Sequence, residues 1–228
     1  MKSLTTYITE KMVYNKSTAT KYNYHPKTRK ELENLLTQLI EERGNDGDFN
    51  DIDTSEITDM SKLFFGINDF NGDISKWDVS NVTSMEHMFD SCVAFNQSLN
   101  DWDVSKVKYM TGIFLYCESF NGDISNWNVS NVTSMNYMFC NCKSFNQDIS
   151  NWDVSKVKYM NNMFNYCYAF NQNISNWDVS KVTDMDYMFA GCKSFNQDIS
   201  NWNVSNVTDT KEIFDRCPIK EKHKPKFK

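Results

Sequence analysis

Residues 77–101 read WDVSNVTSMEHMFDSCVAFNQSLND, and this pattern returns every 25 residues along most of the chain. With tryptophan as position 1, valine follows at positions 3 and 6, methionine at 9, phenylalanine at 13 and 19, and cysteine at 16. The copies begin at Trp77, Trp102, Trp127, Trp152, Trp177 and Trp202. A degenerate earlier copy begins at Ile52, and the last copy stops after Cys217. Such a period is typical of repeat proteins whose units stack and share one core.

The apolar spacing changes within one repeat. From Ile74 to Val79 it ends in alternation, which predicts a short strand. Residues Met85, Met88, Phe89 and Cys92 follow the i, i+3, i+4, i+7 pattern of one helical face. Thr83 and Glu86 have the spacing of a capping box at the start of that helix. We therefore predict an α/β repeat, a leucine-rich-repeat-like solenoid of about seven strand-plus-short-helix rungs.

The two ends differ from the repeats. Thr28 and Glu31 form a second capping-box pair, and a stripe of leucines then continues until Gly44. This pattern predicts an amphipathic helix that caps the first rung. The predicted domains are a polar arm at 1–27, with a short helix near Leu4, Tyr7 and Ile8 as an alternative, the capping helix and linker at 28–51, the solenoid at 52–217, and a basic tail at 218–228. Disorder is expected from Lys220 to Lys228.

The frame I-x-x-W-x-V-x-x-V in residues 74–82 resembles the leucine-rich-repeat strand frame. The longer refrain, WDVSNVTSMEHMFDSCVAFNQ in its first copy, is similar to the BspA-like leucine-rich-repeat surface proteins over residues 52–217. This resemblance implies a surface or secreted protein that acts by adhesion or protein binding, with no catalytic residues to carry over.

Composition and charge exclude several function classes. With 7 glycines in 228 residues, glycine-rich phosphate loops are excluded. Residues 45–215 carry 10 basic and 24 acidic groups, which disfavours nucleic acid as a partner. The first 25 residues hold no apolar run of a secretory signal, and nothing later has the length of a membrane span. The chain is therefore expected to be cytoplasmic, and the family resemblance leaves cell-surface or secreted localisation as the alternative.

Each repeated residue forms a column along the stack. We expect the tryptophans to be buried and the asparagines at position 20 to bond backbone between rungs as an asparagine ladder. The six cysteines at position 16 form one column, which does not suit a disulfide framework, so reduced thiols are predicted. Cys140 falls on the outward side of the predicted helix and is expected to react first. No metal site or cofactor is predicted.

Two surfaces are candidate partner sites. The first is the concave strand face, where solenoids commonly bind partners; its position-2 column is Asp78, Asp103, Asn128, Asp153, Asp178 and Asn203. The second is a tyrosine flank with a two-rung period, which could equally pack between helices; it comprises Tyr109, Tyr116, Tyr137, Tyr159, Tyr166 and Tyr187.

No nucleophile, base or metal cluster breaks the repeat, so the chain is not expected to be an enzyme. The sequence indicates a non-catalytic binding or scaffold protein with a protein partner. An adhesin that recognises a host protein or a carbohydrate is the alternative.

Overall fold

The computed structural model describes residues 22–227, in which successive 25-residue copies lie on top of one another. We call these copies coils 1 to 7; they begin at residues 52, 77, 102, 127, 152, 177 and 202. Parallel bridges at position 8 connect every pair of neighbouring coils, from Asp59–Ser84 to Asp184–Asp209. The regular elements of the described residues are one α-helix, α1 (Arg29–Arg43), and one 3-10 helix (Glu221–His223). The bridges are isolated and form no extended strand or sheet.

The predicted α/β rung of strand and helix is therefore wrong. In coil 2, the amide of Met88 donates to Met85 O (3.2 Å) and the amide of Cys92 to Phe89 O (2.9 Å), so two four-residue turns replace the helix. Each turn has its third residue, His87 or Ser91, at positive φ (54° and 66°), as a type II turn requires. Consecutive four-residue turns reproduce the i, i+3, i+4, i+7 spacing, which explains the error.

The predicted strand is also absent. The amide of Trp77 donates to Ile74 O and the amide of Val82 to Val79 O, so this segment too is folded into turns. The side chain of Thr83, expected as a helix cap, donates to Thr58 O in coil 1. The apolar alternation therefore marks a corner of the coil at which alternate side chains point into the core. The backbone groups of this corner form hydrogen bonds within their own turn and with neighbouring coils.

The core consists of stacked columns, as the repeat indicates. The position-13 phenylalanines, beginning with Phe64 and Phe89, stack with ring centroids 5.3–5.8 Å apart. Each tryptophan is 3–5% exposed, and its indole N–H donates to the carbonyl 28 residues earlier in the chain, as Trp127 does to Leu99 O at 2.8 Å. Burial of the tryptophan column is confirmed.

The asparagine ladder is confirmed as well. The side-chain oxygen of Asn71 accepts the backbone N–H of Asn96 at 2.9 Å, and the same bond recurs to Asn121, Asn146, Asn171 and Asn196. These bonds give the backbone N–H groups of this turn an acceptor, because the turn forms no regular ladder of backbone hydrogen bonds.

Helix α1 is found where the sequence predicts it. Thr28 is its N-cap, with Oγ1 accepting the amide of Glu31 at 3.2 Å, and Gly44 ends it at φ 78°. Leu32, Leu36 and Leu39 belong to the same buried core as the coils. Met60 and Phe64 of coil 1 are fully buried although no coil precedes them, so α1 covers this end of the stack.

Residues 219–227 of the basic tail contact the last two coils, contrary to the prediction of disorder. The amide of Lys220 donates to Asn196 Oδ1, which extends the asparagine ladder, and the amide of Ile199 donates to His223 O. Ile219 is buried at 6% exposure. Most of the predicted polar arm, with its alternative helix near Leu4, Tyr7 and Ile8, lies outside the described residues. None of the helices in residues 22–227 has the length and apolar character to span a bilayer.

Candidate interaction surfaces

The predicted concave face is a row of turns rather than a strand face. All six position-2 residues are exposed, and in each the side-chain Oδ1 accepts the backbone N–H of the serine two residues later, as Asp103 does from Ser105 at 3.0 Å. The same Asx turn occurs at Asp78, Asn128, Asp153, Asp178 and Asn203. Hydrogen bonds from Ser105 and Ser155 hold the pKa of Asp103 and Asp153 below the ordinary value. These side chains therefore have a structural role in the coil corner.

The tyrosines predicted as a helix flank occupy two kinds of backbone position. Tyr109 and Tyr159 are at position 8, where they form the parallel bridges, and they are 48% and 46% exposed. Beside them lie exposed lysines of the same coils, Lys108 and Lys158. This part of the surface is both aromatic and basic.

The other four tyrosines have left-handed backbone conformations. Tyr137 and Tyr187 are at position 11, and Tyr116 and Tyr166 are at position 15, all with φ between 56° and 58°. These are the third residues of the two turns in each coil. A bulky residue at positive φ is a conformational outlier, because glycine and asparagine fit there with less strain.

Large and small residues alternate between neighbouring coils on this surface. The ring of Tyr166 lies over Gly191 of the next coil, where an added Cβ would be 2.7 Å from Cδ1 of the ring. Likewise, a Cβ on Gly112 would be 2.7 Å from the imidazole of His87. In these two pairs the glycine of one coil leaves room for the ring of the coil before it. We call the surface of Tyr109, Tyr116, Tyr137, Tyr159, Tyr166 and Tyr187 the tyrosine face.

A groove lies at the C-terminal end of the tyrosine face. It has a volume of about 390 Å³, and its walls include Tyr137, Tyr166, Tyr187, Asn162 and Arg216. The structure thus brings three predicted tyrosines together around one depression. Tyr109 and Tyr116 are outside this groove, on coil 3.

A polar cluster that the sequence did not single out lies beside the tyrosine face on coil 2. His87 Nδ1 is 2.9 Å from Asp90 Oδ2, and Ser91 Oγ donates to Asp90 Oδ1 at 2.9 Å. Asp90 is only 6% exposed. The serine bonds to the carboxylate rather than to the imidazole, so this arrangement does not activate a nucleophile.

All seven cysteines are free thiols in the structure. Five of the six in the column donate at 2.8–3.1 Å to the carbonyl of a phenylalanine in the preceding coil, and Cys217 does so at 3.5 Å. The expectation that Cys140 points outward is wrong, because it is 5% exposed and burial raises its pKa to about 11. Cys217 is the half-buried exception.

Residues 22–227 contain no cluster of three histidine, cysteine or acidic side chains that could hold a metal ion. The exposed aspartates at position 2 bond instead to the serines of their own turns, such as Ser105.

One family profile matches the chain twice, over residues 31–148 and 119–226. Its description is "Mycoplasma protein of unknown function, DUF285". A search of curated proteins finds no match, and neither does a search of solved structures.

Proposed function

Because the chain belongs to the DUF285 family of Mycoplasma proteins of unknown function, we propose its function from its surface: it is a non-catalytic protein that binds another protein through the tyrosine face. The observation that carries this proposal is the exposure of tyrosines at strained backbone positions. Tyr116, Tyr137 and Tyr166 are 47%, 38% and 37% exposed at positive φ. A left-handed conformation costs about 1–2 kcal/mol for a residue with a side chain.

Packing alone does not account for these tyrosines. Asn141 and Asn162 stand at the same two positions in other coils and also have positive φ (62° and 59°), so the fold accepts a small side chain there. The turns impose positive φ at these two positions in every coil but do not require a tyrosine there, and strained positions recur at functional sites. Tyrosine is also enriched at protein interfaces, because it offers a large contact area with few rotatable bonds.

The position-2 column is the weaker candidate for the partner site. Its carboxylates are exposed, but each already accepts a hydrogen bond within its own turn, as Asp103 does from Ser105. A partner could still contact this column, and the double charge reversal described next tests that.

The test compares two double variants with the original chain. Tyr116→Asn with Tyr166→Asn removes two rings and places the residue that the fold already uses at position 15 in coil 4. We expect an unchanged or slightly raised melting temperature and loss of a cross-linked partner from cells of the native host. The matched control, Asp103→Lys with Asp153→Lys, should retain that partner. If the tyrosine variant keeps the cross-linked partner and the aspartate variant loses it, the partner binds the position-2 column instead.

A glycan array probed with the same three proteins covers the adhesin alternative. Tyrosine-dependent binding to glycans, without a cross-linked protein partner, would replace protein with carbohydrate as the ligand.

A further inference from the structure

The end of the stack at coil 7 has a row of unpaired backbone donors. Throughout the stack, amides at positions 9, 11, 13 and 15 donate to carbonyls at positions 8, 10, 12 and 14 of the next coil, and three or four such bonds join every pair. Between coils 6 and 7 they run from Met185, Tyr187, Phe189 and Gly191 at 2.7–2.9 Å. In coil 7 the corresponding amides have no acceptor within residues 22–227; they belong to Thr210, Glu212, Phe214 and Arg216.

A groove runs beside this row. It has a volume of about 470 Å³ and is lined on one side by Thr210, Ile213 and Phe214 of coil 7, and on the other by Pro225 and Phe227 of the tail. Three lysines also line it, namely Lys222, Lys224 and Lys226, together with Glu221, whose carboxylate pairs with Lys224 at 2.8 Å. Residues 216–228 carry six basic groups and one acidic group. The groove therefore combines apolar side chains with positive charge.

The chemistry of the row defines its ligand. The four donors lie on two consecutive turns, with Glu212 and Arg216 at φ 49° and 52°, so they need carbonyl acceptors on a polypeptide folded into the same turns, as residues 209–215 supply to coil 6. The neighbouring lysines favour negative charge on that polypeptide. We propose that the C-terminal end of the stack is a second binding site, which takes an acidic segment of a partner protein, folded into the same two turns, as an added coil.

A second copy of this chain fits the row less well. The complementary carbonyls of another copy are on coil 1, in residues 59–66 (DMSKLFFG), which carry one acidic and one basic group and so lack the negative charge that the lysines favour. Two C-terminal ends cannot pair either, because both present donors.

The chain itself provides a probe. Residues 184–191, DMDYMFAG, accept the same four bonds from coil 5 and carry two aspartates. A capped synthetic peptide of this sequence is titrated into the full-length protein, with amide hydrogen exchange as the readout. We expect saturable binding and slower exchange at Thr210, Glu212, Phe214 and Arg216, the amides that are unpaired in the free protein.

Thr210→Pro removes one donor that the fold does not use. The preceding residue, Asp209, pairs in a parallel bridge, and such an extended conformation suits a residue before proline. We expect peptide binding to weaken roughly fivefold, about the value of one hydrogen bond. The matched control is Thr210→Met, which installs the residue of this column in coils 1 to 6 and should bind like the original chain. Melting temperatures establish that both variants fold.

Two further arms separate the alternatives. The peptide carrying Asp184→Lys and Asp186→Lys should bind more weakly than the original peptide. The protein carrying Tyr116→Asn and Tyr166→Asn should bind the original peptide normally, and this result would distinguish the site from the tyrosine face. The proposal is overturned by equal binding to Thr210→Pro and Thr210→Met, by absence of exchange protection at saturating peptide, or by concentration-dependent self-association that protects the same four amides.

Discussion

Burial sets the order in which the thiols of this protein react. Thiolate is the reactive form, and burial raises the pKa of Cys92 to about 12 and of Cys140 to about 11. Cys217 is less buried, at the open end of the column.

We therefore expect Cys217 to react first with a thiol reagent in the folded protein, and all seven thiols to titrate after denaturation. Mass spectrometry after partial labelling identifies the site. Cys217→Ser should remove the fast phase; a fast phase that persists and maps to Cys140 would refute the assignment.

The Asx turns at position 2 make the stability of the protein depend on pH. Hydrogen bonds from Ser105 and Ser155 lower the pKa of Asp103 and Asp153 in the folded state. A lowered folded pKa contributes stability above the unfolded value of about 3.9, and this stability is lost as the pH falls through the folded pKa.

Replacement of both residues, Asp103→Asn and Asp153→Asn, should flatten the acidic side of a plot of melting temperature against pH. At pH 7 the variant should melt close to the original protein, because Asn128 forms the same turn in coil 4. An unchanged acidic slope would show that these two carboxylates do not contribute.

At the scale of the turn, the fit between coils depends on single side chains. Gly191 has φ 72°, and the ring of Tyr166 occupies the space of its missing Cβ. Gly66 is at the same position of coil 1 with φ 76°, but a Cβ atom placed on it would have no other atom within 4 Å.

Gly191→Ala should lower the free energy of unfolding by more than Gly66→Ala, which carries only the backbone cost of about 1 kcal/mol. In a Tyr166→Asn background the two alanine variants should become similar. Urea unfolding measures all of these values. Equal costs in the original background would mean that the ring moves aside freely.

The sequence predicts the columns of this fold better than its turns. The 25-residue period, the buried tryptophans, the asparagine ladder and helix α1 follow from residue identity alone. The conformation around Met85 and Cys92 does not, because one spacing fits both a helix and paired turns. Gly112, Asn141 and Gly191 were the available signal, since such residues in the middle of a helix favour positive φ instead.

The surfaces were predictable to different degrees. The tyrosines could be grouped from their two-coil period, but their strained backbone could not be inferred without the turns. The donor row at coil 7 depends on bonds between coils and has no signature in residue type, since any residue except proline supplies an amide.

On the scale of the whole molecule, the hydrogen bonds between coils run along the axis of the stack. A pull on the two ends of the chain therefore loads these interfaces in series, so that they can separate one after another. Each coil that separates releases 25 residues, or about 90 Å of extended chain at about 3.6 Å per residue. Under such a pull the chain would lengthen in equal steps, one step for each coil that separates.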